Sequence, residues 1–260
     1  MTVRTGFITG TGFYTLPNIQ MSKIMRVATP FGKADVQIAR LEGQQIAFLP
    51  RHGVNHRLAP DEINYRANIY ALHELGVERI LATSVCGSLI PDWQPGTLVL
   101  IDQFLNFTTG RPDSFYPLGG KLAHVDVTDP YCPTLHGAMA RSAAELDIDL
   151  QRGATYACFS GPRFETRAEI EMVRRLDGHL VGQTNYPECV LARELAMCYA
   201  TLGVVSNPAA GMGSSLSAGE VMMNLQGMGD SIGRLFEGVI RLLPEPYDCA
   251  CRHALDEAFL

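Results

Sequence analysis

The sequence predicts an α/β fold, a single-domain sandwich whose central mixed sheet is flanked by helices. Short apolar runs typical of strands alternate along the chain with longer stretches of helical spacing. Several of the apolar runs lack polar alternation, which indicates strands that are covered on both faces. The chain has 260 residues and no stretch of linker-like composition, so one domain is expected over residues 1–260.

The individual elements follow from the same patterns. Strands are predicted over residues 5–10, 46–50, 79–85, 96–104, 154–159, 179–183 and 201–206. Helices are predicted over residues 61–75, 134–146, 166–176, 187–199 and 217–242. Asp61 is the expected N-cap of the first helix and Gly76 follows its expected end, while Pro187 is expected at the first position of the fourth helix.

Composition restricts the class of protein. Hydrophobic residues make up 47% of the chain and charged residues 18%, which fits a large core and argues against a disordered protein. The net charge is −6 and the chain has no run of Lys or Arg, so nucleic acid is not an expected partner. The sequence has no apolar run of membrane-spanning length and no visible signal peptide, so a cytoplasmic protein without a membrane partner is expected.

The cysteines suggest a reducing compartment, because seven of them are scattered along the chain. Only Cys249 and Cys251 lie close in sequence, and both two unpaired thiols and a strained local disulfide remain open for them. Zinc requires about four ligands, and no second pair stands at metal-ligand spacing. No metal site is therefore expected.

Two groups of donors follow the first two predicted strands, where open α/β folds bind ligands. The turn TGTGF can present backbone N–H groups and the Thr11 hydroxyl to an anion, or it can be only a tight turn. In RHGVNH, Arg51 can direct two N–H groups to a phosphate or carboxylate, and His52 can add another donor. A solvated basic loop is the alternative for this second segment.

Further polar residues follow the next strands. In TSVCGSL, the Ser84 hydroxyl and the Val85 N–H can complete an anion site, while Cys86 has no nearby His in sequence and is interpreted as a packing residue rather than a nucleophile. In GPRFET, Phe164 offers a flat face for a heterocycle and Glu165 a carboxylate, although a core Phe and a helix-terminal charge are the alternatives.

The last two segments complete the candidate site. In GQTNYPE, Thr184 stands between a predicted strand and a helix N-terminus, a position that suits an anion. In VVSNPAAGM, Asn207 ends a buried strand beside small residues, and its amide can both donate and accept a hydrogen bond. Such an amide can read a carbonyl and a ring nitrogen together.

Taken together, the chain resembles the purine nucleoside phosphorylase family, in its methylthioadenosine phosphorylase branch and closest to S-methyl-5′-thioinosine phosphorylases. The segments that carry the resemblance are TGTG, RHGVNH, NYRANIYAL, CGSL, IDQF, TTGRPDSFY, GPRFET, PECVLARE and SNPAAG, in the family's order. The family cleaves purine nucleosides with phosphate, without a metal or an organic cofactor. The resemblance therefore implies a pentosyltransferase whose co-substrate is inorganic phosphate.

The resemblance also implies roles for individual residues. The implied phosphate ligands are Thr11, Arg51, His52, Ser84, Val85 and Thr184. The implied purine site comprises Cys86, Gly87, Phe164, Glu165, Asn207 and Ala209. Gln183 and Ala218 fall near the sugar, and His124 of a neighbouring subunit would approach the 5′ group, because family members are usually trimers or hexamers.

The residues at two positions favour a 6-oxopurine. Methylthioadenosine phosphorylases have Asp where Asn207 stands and usually a small residue where Glu165 stands. An ionised carboxylate only accepts, so Glu165 suits the N1–H of a 6-oxopurine, while the Asn207 amide can donate to O6 or N7. A mismatched buried group costs about 1–3 kcal/mol.

The sugar end indicates an apolar 5′ group. Ordinary purine nucleoside phosphorylases have a His that bonds the 5′-hydroxyl where Ala218 stands here. The combination predicts S-methyl-5′-thioinosine as substrate, with hypoxanthine and 5-methylthioribose 1-phosphate as products. The alternatives are a methylthioadenosine phosphorylase, a general inosine and guanosine phosphorylase, a hydrolytic nucleosidase and a purine-binding protein without turnover. Gln183 and Tyr186 depart from the family pattern, and their effect on sugar choice stays open.

Overall fold

The computed structural model describes residues 3–14, 16, 19–53, 56–116, 120, 122–213, 217–243 and 248–259. The strands of the described chain are β1 Thr5–Thr9, β2 Gln20–Thr29, β3 Gly32–Leu41, β4 Gln44–Pro50, β5 Arg79–Ser88, β6 Leu98–Phe107, β7 Leu150–Phe159, β8 Leu180–Gly182 and β9 Cys198–Pro208. The helices are α1 Tyr65–Glu74, α2 Pro133–Glu145, α3 Arg167–Arg175, α4 Glu188–Arg193, α5 Ala218–Asn224 and α6 Met228–Leu242, and a 3-10 turn covers Ala250–His253.

These strands form one mixed sheet, in the order β2-β3-β4-β1-β5-β8-β7-β6-β9. Strand β9 also pairs with β5, so the last five strands of this order close on themselves. Strand β1 is parallel to β4 and β5, and β5 is parallel to β9. The carboxyl ends of β1, β4, β5 and β9 therefore open at the same edge of the sheet, where the polar segments of the sequence lie.

Two large apolar clusters cover the two faces of the sheet. Adjacent residues of β1 take opposite sides, because Ile8 packs in the cluster that contains α1 and α4, while Phe7 packs in the one that contains α2 and α6. Both side chains are fully buried. This two-sided burial explains why the strands lack polar alternation, and the α/β fold class predicted from sequence is confirmed.

The elements that sequence patterns missed or misplaced have local causes. Strands β2 and β3 form an antiparallel ribbon, and β2 exposes most of its residues, so it lacks the apolar run of a buried strand. The predicted helix 217–242 is two helices, because Gly227 takes a left-handed φ of 81° between α5 and α6. The predicted N-cap Asp61 is wrong, since the Asn64 side chain accepts the hydrogen bond from the Ala67 N–H.

Two boundaries near the fourth helix also differ. Helix α4 ends at Arg193 rather than 199, and Ala196 takes a left-handed φ of 53° before β9 begins at Cys198. Pro187 lies at the N-cap of α4 rather than at its first helical position. Within the part of the chain that the structure describes, no helix is long and apolar enough to cross a membrane.

Candidate active site

A cavity of about 690 Å³ opens at the carboxyl ends of the parallel strands, a volume suited to a small organic ligand. It is lined by most of the residues predicted from sequence, namely Thr11, Arg51, His52, Val85, Cys86, Gly87, Phe164, Glu165, Gln183, Thr184, Asn207, Ala209 and Ala218. The other two predicted site residues, Ser84 and His124, are not among the described residues that line it. The fold thus brings seven separate segments of the sequence to one cavity.

Arg51 lies at the end of β4 and is 1% exposed. Its Nε and Nη2 donate to the two carboxylate oxygens of Glu188, at 2.6 and 2.8 Å, and its Nη1 donates to the Thr83 carbonyl at 2.9 Å. Burial by itself lowers the pKa of Arg51, but the Glu188 carboxylate outweighs this effect and holds the pKa above its usual value. The paired donors that the sequence assigned to an anion are therefore engaged by Glu188.

Three of the five guanidinium N–H groups are used in this way, so one on each terminal nitrogen has no partner among the described residues. The Arg51 Nη1 lies 2.9 Å from the place where a Cβ on Gly10 would stand. Glycine at this position lets the backbone after β1 approach a guanidinium that Glu188 holds in place. The Tyr199 hydroxyl donates to the same Glu188 carboxylate at 2.7 Å and fixes it further.

His52 follows Arg51, and its ring stays neutral near pH 7 because burial lowers its pKa to about 4. Its Nδ1 lies 2.9 Å from the Leu58 carbonyl, which can only accept. The Nδ1 must therefore carry the proton, and the Nε2 is an acceptor. The sequence-based expectation of a donor at His52 needs correction, since this ring can accept the O–H of a partly protonated anion.

Ser84 is buried beneath the cavity, and its hydroxyl donates to the Tyr156 hydroxyl at 3.1 Å. The Tyr156 oxygen is also hydrogen-bonded by the backbone of Thr184, which itself lines the cavity. Ser84 therefore supports the wall of the site through Tyr156 instead of presenting its hydroxyl to the cavity as the resemblance implied.

A bulge at the end of β9 directs Asn207 into the cavity. The pairing with β5 runs from Cys86 opposite Val205 to Gly87 opposite Asn207, so Ser206 is an extra residue in β9. One extra residue shifts the alternation of the following side chains. The Asn224 side chain of α5 donates to the Ser206 carbonyl at 2.8 Å and holds the bulge in place.

The neighbours of Asn207 fix which way its amide points. Its Nδ2 lies 2.7 Å from the Pro208 carbonyl, and a carbonyl only accepts, so this atom must be the NH₂ nitrogen. The Ser206 hydroxyl donates to the Oδ1 at 2.6 Å. The second N–H of the Asn207 amide has no acceptor in the part of the chain that the structure describes, so Asn207 presents a donor to a ligand.

Glu165 is 8% exposed, and its Oε1 is a buried atom without a hydrogen-bond partner among the described residues. Burial raises the pKa of this carboxyl above its usual value, while a hydrogen bond from Gln183 partly opposes the shift. A buried acceptor without a partner is costly, and a ligand donor would relieve this cost. Glu165 thus presents an acceptor where Asn207 presents a donor.

The remaining walls are apolar. Phe164 lines the cavity and is 44% exposed, which is unusual for a large aromatic side chain. Ala218, Val221 and Met222 of α5 lie three and four residues apart on one helix face and line another wall. Burial strongly raises the pKa of the Cys86 thiol, which fits the interpretation of Cys86 as a packing residue.

Arg111 is a supporting residue that the sequence analysis did not single out. Its guanidinium donates to the carbonyls of Gln183 and Tyr186, at 2.9 and 2.7 Å, and to that of Ser160 at 3.2 Å. These carbonyls belong to two loops that flank the cavity. Glu188 is the other missed residue, and its only signal was an acidic residue at the start of a helix beside a proline.

Gln183 and Tyr186, the two residues that depart from the family pattern, differ in whether they line the cavity. Gln183 lines the cavity and donates to the Arg163 carbonyl at 2.9 Å. Tyr186 is not among the described lining residues, because its hydroxyl turns to Asp113. His124 is exposed, and its backbone N–H donates to the Ala258 carbonyl at 2.8 Å.

Comparisons with known proteins agree with this geometry. Residues 4–241 match the model of the Phosphorylase superfamily. A 6-oxopurine nucleoside phosphorylase of Pyrococcus furiosus is 44% identical over 98% of both chains, and an S-methyl-5′-thioadenosine phosphorylase of Thermofilum pendens is 40% identical over 99% of both. A methylthioadenosine phosphorylase from an Antarctic soil metagenomic library superimposes with a TM-score of 0.93, at 34% identity, over 100% of this chain and 93% of that chain.

The chain therefore belongs to the phosphorylase superfamily. The resemblance to purine nucleoside phosphorylases noted in the sequence is confirmed, and so is the assignment as an enzyme, a pentosyltransferase of this family.

Proposed function

We propose that this enzyme cleaves 6-oxopurine nucleosides with phosphate and that S-methyl-5′-thioinosine is its preferred substrate. The observation that carries the proposal is the pairing of an acceptor without a partner, Glu165 Oε1, with the spare donor of Asn207 in one cavity. The products would be hypoxanthine and 5-methylthioribose 1-phosphate.

The base preference follows from the donor and acceptor pattern. A 6-oxopurine has a donor at N1 and acceptors at O6 and N7, which match the Glu165 carboxylate and the Asn207 N–H. A 6-aminopurine has an acceptor at N1, which would face the Glu165 carboxylate and repel it. Each buried mismatch costs about 1–3 kcal/mol, and ~1.4 kcal/mol corresponds to a tenfold change. Phe164 can stack on the purine face.

The sugar preference rests on α5. The apolar wall of Ala218, Val221 and Met222 supports an apolar 5′ substituent, because none of these side chains can hydrogen-bond a hydroxyl. A methylthio group makes favourable contacts with such side chains, and its transfer from water is favourable by the area it buries. Gln183 can bond the ribose hydroxyls from the opposite wall.

The proposed reaction breaks the C1′–N9 bond and forms a bond from C1′ to a phosphate oxygen. The bond electrons leave with the purine, which gains negative charge while the sugar gains oxocarbenium character, as in glycoside cleavage. The Asn207 N–H would stabilise the charge that develops at O6 and N7. The phosphate would be held by Thr11, the two spare N–H groups of Arg51, the Val85 N–H and Thr184, with His52 accepting its O–H.

The experiment that tests this function measures base release from methylthioinosine, methylthioadenosine and inosine, each with and without phosphate. We expect release only with phosphate and the highest kcat/KM for methylthioinosine. Release without phosphate would indicate a hydrolytic nucleosidase, and no release from any of the three would indicate a purine-binding protein. Faster reaction of methylthioadenosine would contradict the proposed base preference.

A general 6-oxopurine nucleoside phosphorylase is the second candidate. It is favoured by the name of the Pyrococcus furiosus relative and by the polar pair Tyr14 and His56, which are hydrogen-bonded to each other at the cavity and could meet a 5′-hydroxyl. In that case inosine would react at least as fast as methylthioinosine in the same assay.

The preference for 6-oxo over 6-amino nucleosides is expected to fall as the pH is lowered. Because burial raises the pKa of Glu165, the carboxyl binds its proton at a less acidic pH than an exposed Glu would. The protonated group has an O–H that suits N1 of a 6-aminopurine. The measurement is the ratio of kcat/KM for methylthioinosine to that for methylthioadenosine from neutral to mildly acidic pH.

Glu165→Gln is the matched control, because its amide does not titrate and still offers a carbonyl acceptor. The ratio of this variant should not change with pH. A wild-type ratio that also stays constant would mean that the Glu165 carboxyl does not face N1.

The assembly is part of the proposal. We expect a homotrimer or a hexamer in which His124 of one subunit approaches the 5′ group bound by its neighbour. Its exposed position on the single chain leaves it available for this contact.

The reaction itself is proposed to need no metal or organic cofactor, and the enzyme is proposed to work in the cytoplasm.

A further inference from the structure

Four cysteines from three distant parts of the chain meet in one buried cluster, which is called the cysteine cluster below. Cys132 is the N-cap of α2, Cys198 is the first residue of β9, and Cys249 and Cys251 belong to the segment around the 3-10 turn. Their four sulfur atoms lie within 4.8 Å of one another. All four side chains are buried.

The sulfur distances match a tetrahedral metal site. The Sγ atoms of Cys132 and Cys249 are 3.4 Å apart, and those of Cys249 and Cys251 are 3.7 Å apart. Zinc binds thiolate sulfur at ~2.3 Å, so a tetrahedron of four sulfurs around zinc has edges of about 3.8 Å. No disulfide bond links any two of these four cysteines in the structure.

Two of the four sulfur atoms accept hydrogen bonds from the N-terminal turn of α2, and such bonds stabilise a thiolate, the form of cysteine that binds metal. The Leu135 N–H in the first turn of α2 donates to the Cys132 sulfur at 3.5 Å, and the Thr134 hydroxyl donates to the Cys249 sulfur at 3.6 Å. The N-terminus of α2, a helix of 13 residues, adds a positive dipole end at the Cys132 sulfur.

We propose that the cysteine cluster binds one zinc ion with four thiolate ligands. Four soft sulfur ligands in a tetrahedral arrangement are the set that selects zinc over magnesium, calcium or manganese. With all four positions filled by protein, the ion would have no open position for substrate or water, so its role is structural.

The position of the cluster separates this ion from the chemistry. Cys198 begins β9 and Asn207 lies near its end, nine residues further, which corresponds to about 30 Å of extended strand. The ion would instead fasten the C-terminal segment 248–259 to α2 and β9. That segment also contacts the body of the chain through the bridge between Ala123 and Phe259 and through an ion pair between Arg252 and Glu78 at 3.9 Å.

Local spacing could not reveal this site, because only Cys249 and Cys251 are neighbours in sequence. Cys132 and Cys198 stand alone in the chain, and the fold brings them to the pair. The proposal is independent of the proposed function, since its readouts are metal content and spectroscopy rather than turnover.

The first experiment uses the full-length wild-type enzyme, purified with a phosphine reductant and without chelator. Elemental analysis is expected to find about one zinc per chain. Replacement of the metal by cobalt should give the sulfur-to-cobalt charge-transfer bands and the visible bands of a tetrahedral four-thiolate site. Both measurements need no variant, so they remain decisive if a variant does not fold.

The second experiment compares Cys249→Ser/Cys251→Ser with Cys189→Ser. Cys189 is a buried cysteine in α4, outside the cluster. The control should keep its zinc, and the double variant should lose at least nine-tenths of it and unfold at a lower temperature. Wild-type protein with four alkylatable thiols and no zinc, or with disulfides among these cysteines and no zinc, would overturn the proposal.

Discussion

Asn207→Asp is expected to reverse or abolish the preference for 6-oxo nucleosides. A carboxylate only accepts hydrogen bonds, so the variant loses the donor to O6 and N7 and gains an acceptor for the 6-amino group. We expect the ratio of kcat/KM for methylthioinosine to that for methylthioadenosine to fall on the order of a hundredfold to a thousandfold, which corresponds to about 3–4 kcal/mol.

The hydrogen bonds of Asn207 indicate how the introduced carboxylate would be oriented. In the wild type the Asn207 Nδ2 donates to the Pro208 carbonyl at 2.7 Å, and an oxygen in its place would repel that carbonyl. The carboxylate is therefore expected to turn toward the cavity, while Ser206 continues to donate to the other oxygen. Lower turnover on the preferred substrate should accompany the change in selectivity.

Asn207→Ala is the matched control, because it removes the donor and the acceptor together. It should lower kcat/KM for both nucleosides without favouring the 6-amino one. If Asn207→Asp leaves the ratio unchanged, Asn207 does not contact the edge of the base that carries the 6-substituent.

Arg51→Lys is expected to raise the KM for phosphate by about tenfold to a hundredfold, with little change in the KM for the nucleoside. Lys keeps the positive charge beside Glu188, but it lacks the planar group that bonds Glu188, the Thr83 carbonyl and phosphate at once. Initial rates at varied phosphate and saturating nucleoside, and the reverse, give the two KM values.

Arg51→Ala would be less informative, and the reason lies in the fold. It would leave Glu188 buried without its cation, and breaking a buried pair in this way costs about 3–5 kcal/mol. Loss of activity could then reflect unfolding alone. Arg51→Lys retains the charge and so separates phosphate binding from stability.

Tyr199→Phe is the control for stability. It removes the 2.7 Å hydrogen bond to Glu188, and Tyr199 is not among the described residues that line the cavity. We expect a lower melting temperature, because the folded state loses about 1.5–3 kcal/mol of stability, with an unchanged KM for phosphate.

Equal increases in both KM values for Arg51→Lys would mean that Arg51 only supports the fold.

Sequence-based prediction succeeded only in part for both the strands and the candidate site. Uninterrupted apolar runs revealed most of the buried strands. They did not reveal β2 and β3, because β2 exposes most of its residues and β3 alternates exposed with buried residues. The chemical types of Glu165 and Asn207 were visible in the sequence. Their roles as acceptor and donor depend on partners that only the fold supplies.

The sequence by itself determined the α/β class, the family and the residues gathered at the strand ends, because apolar periodicity and local motifs are properties of short segments. Only the tertiary structure decided that Glu188 engages Arg51, that His52 presents an acceptor, and that Ser84 turns to Tyr156. It also brought Cys132 and Cys198 to Cys249 and Cys251. The physical reason is that a hydrogen bond or a ligand set joins atoms that are close in space, and its partners here lie up to 137 residues apart in sequence.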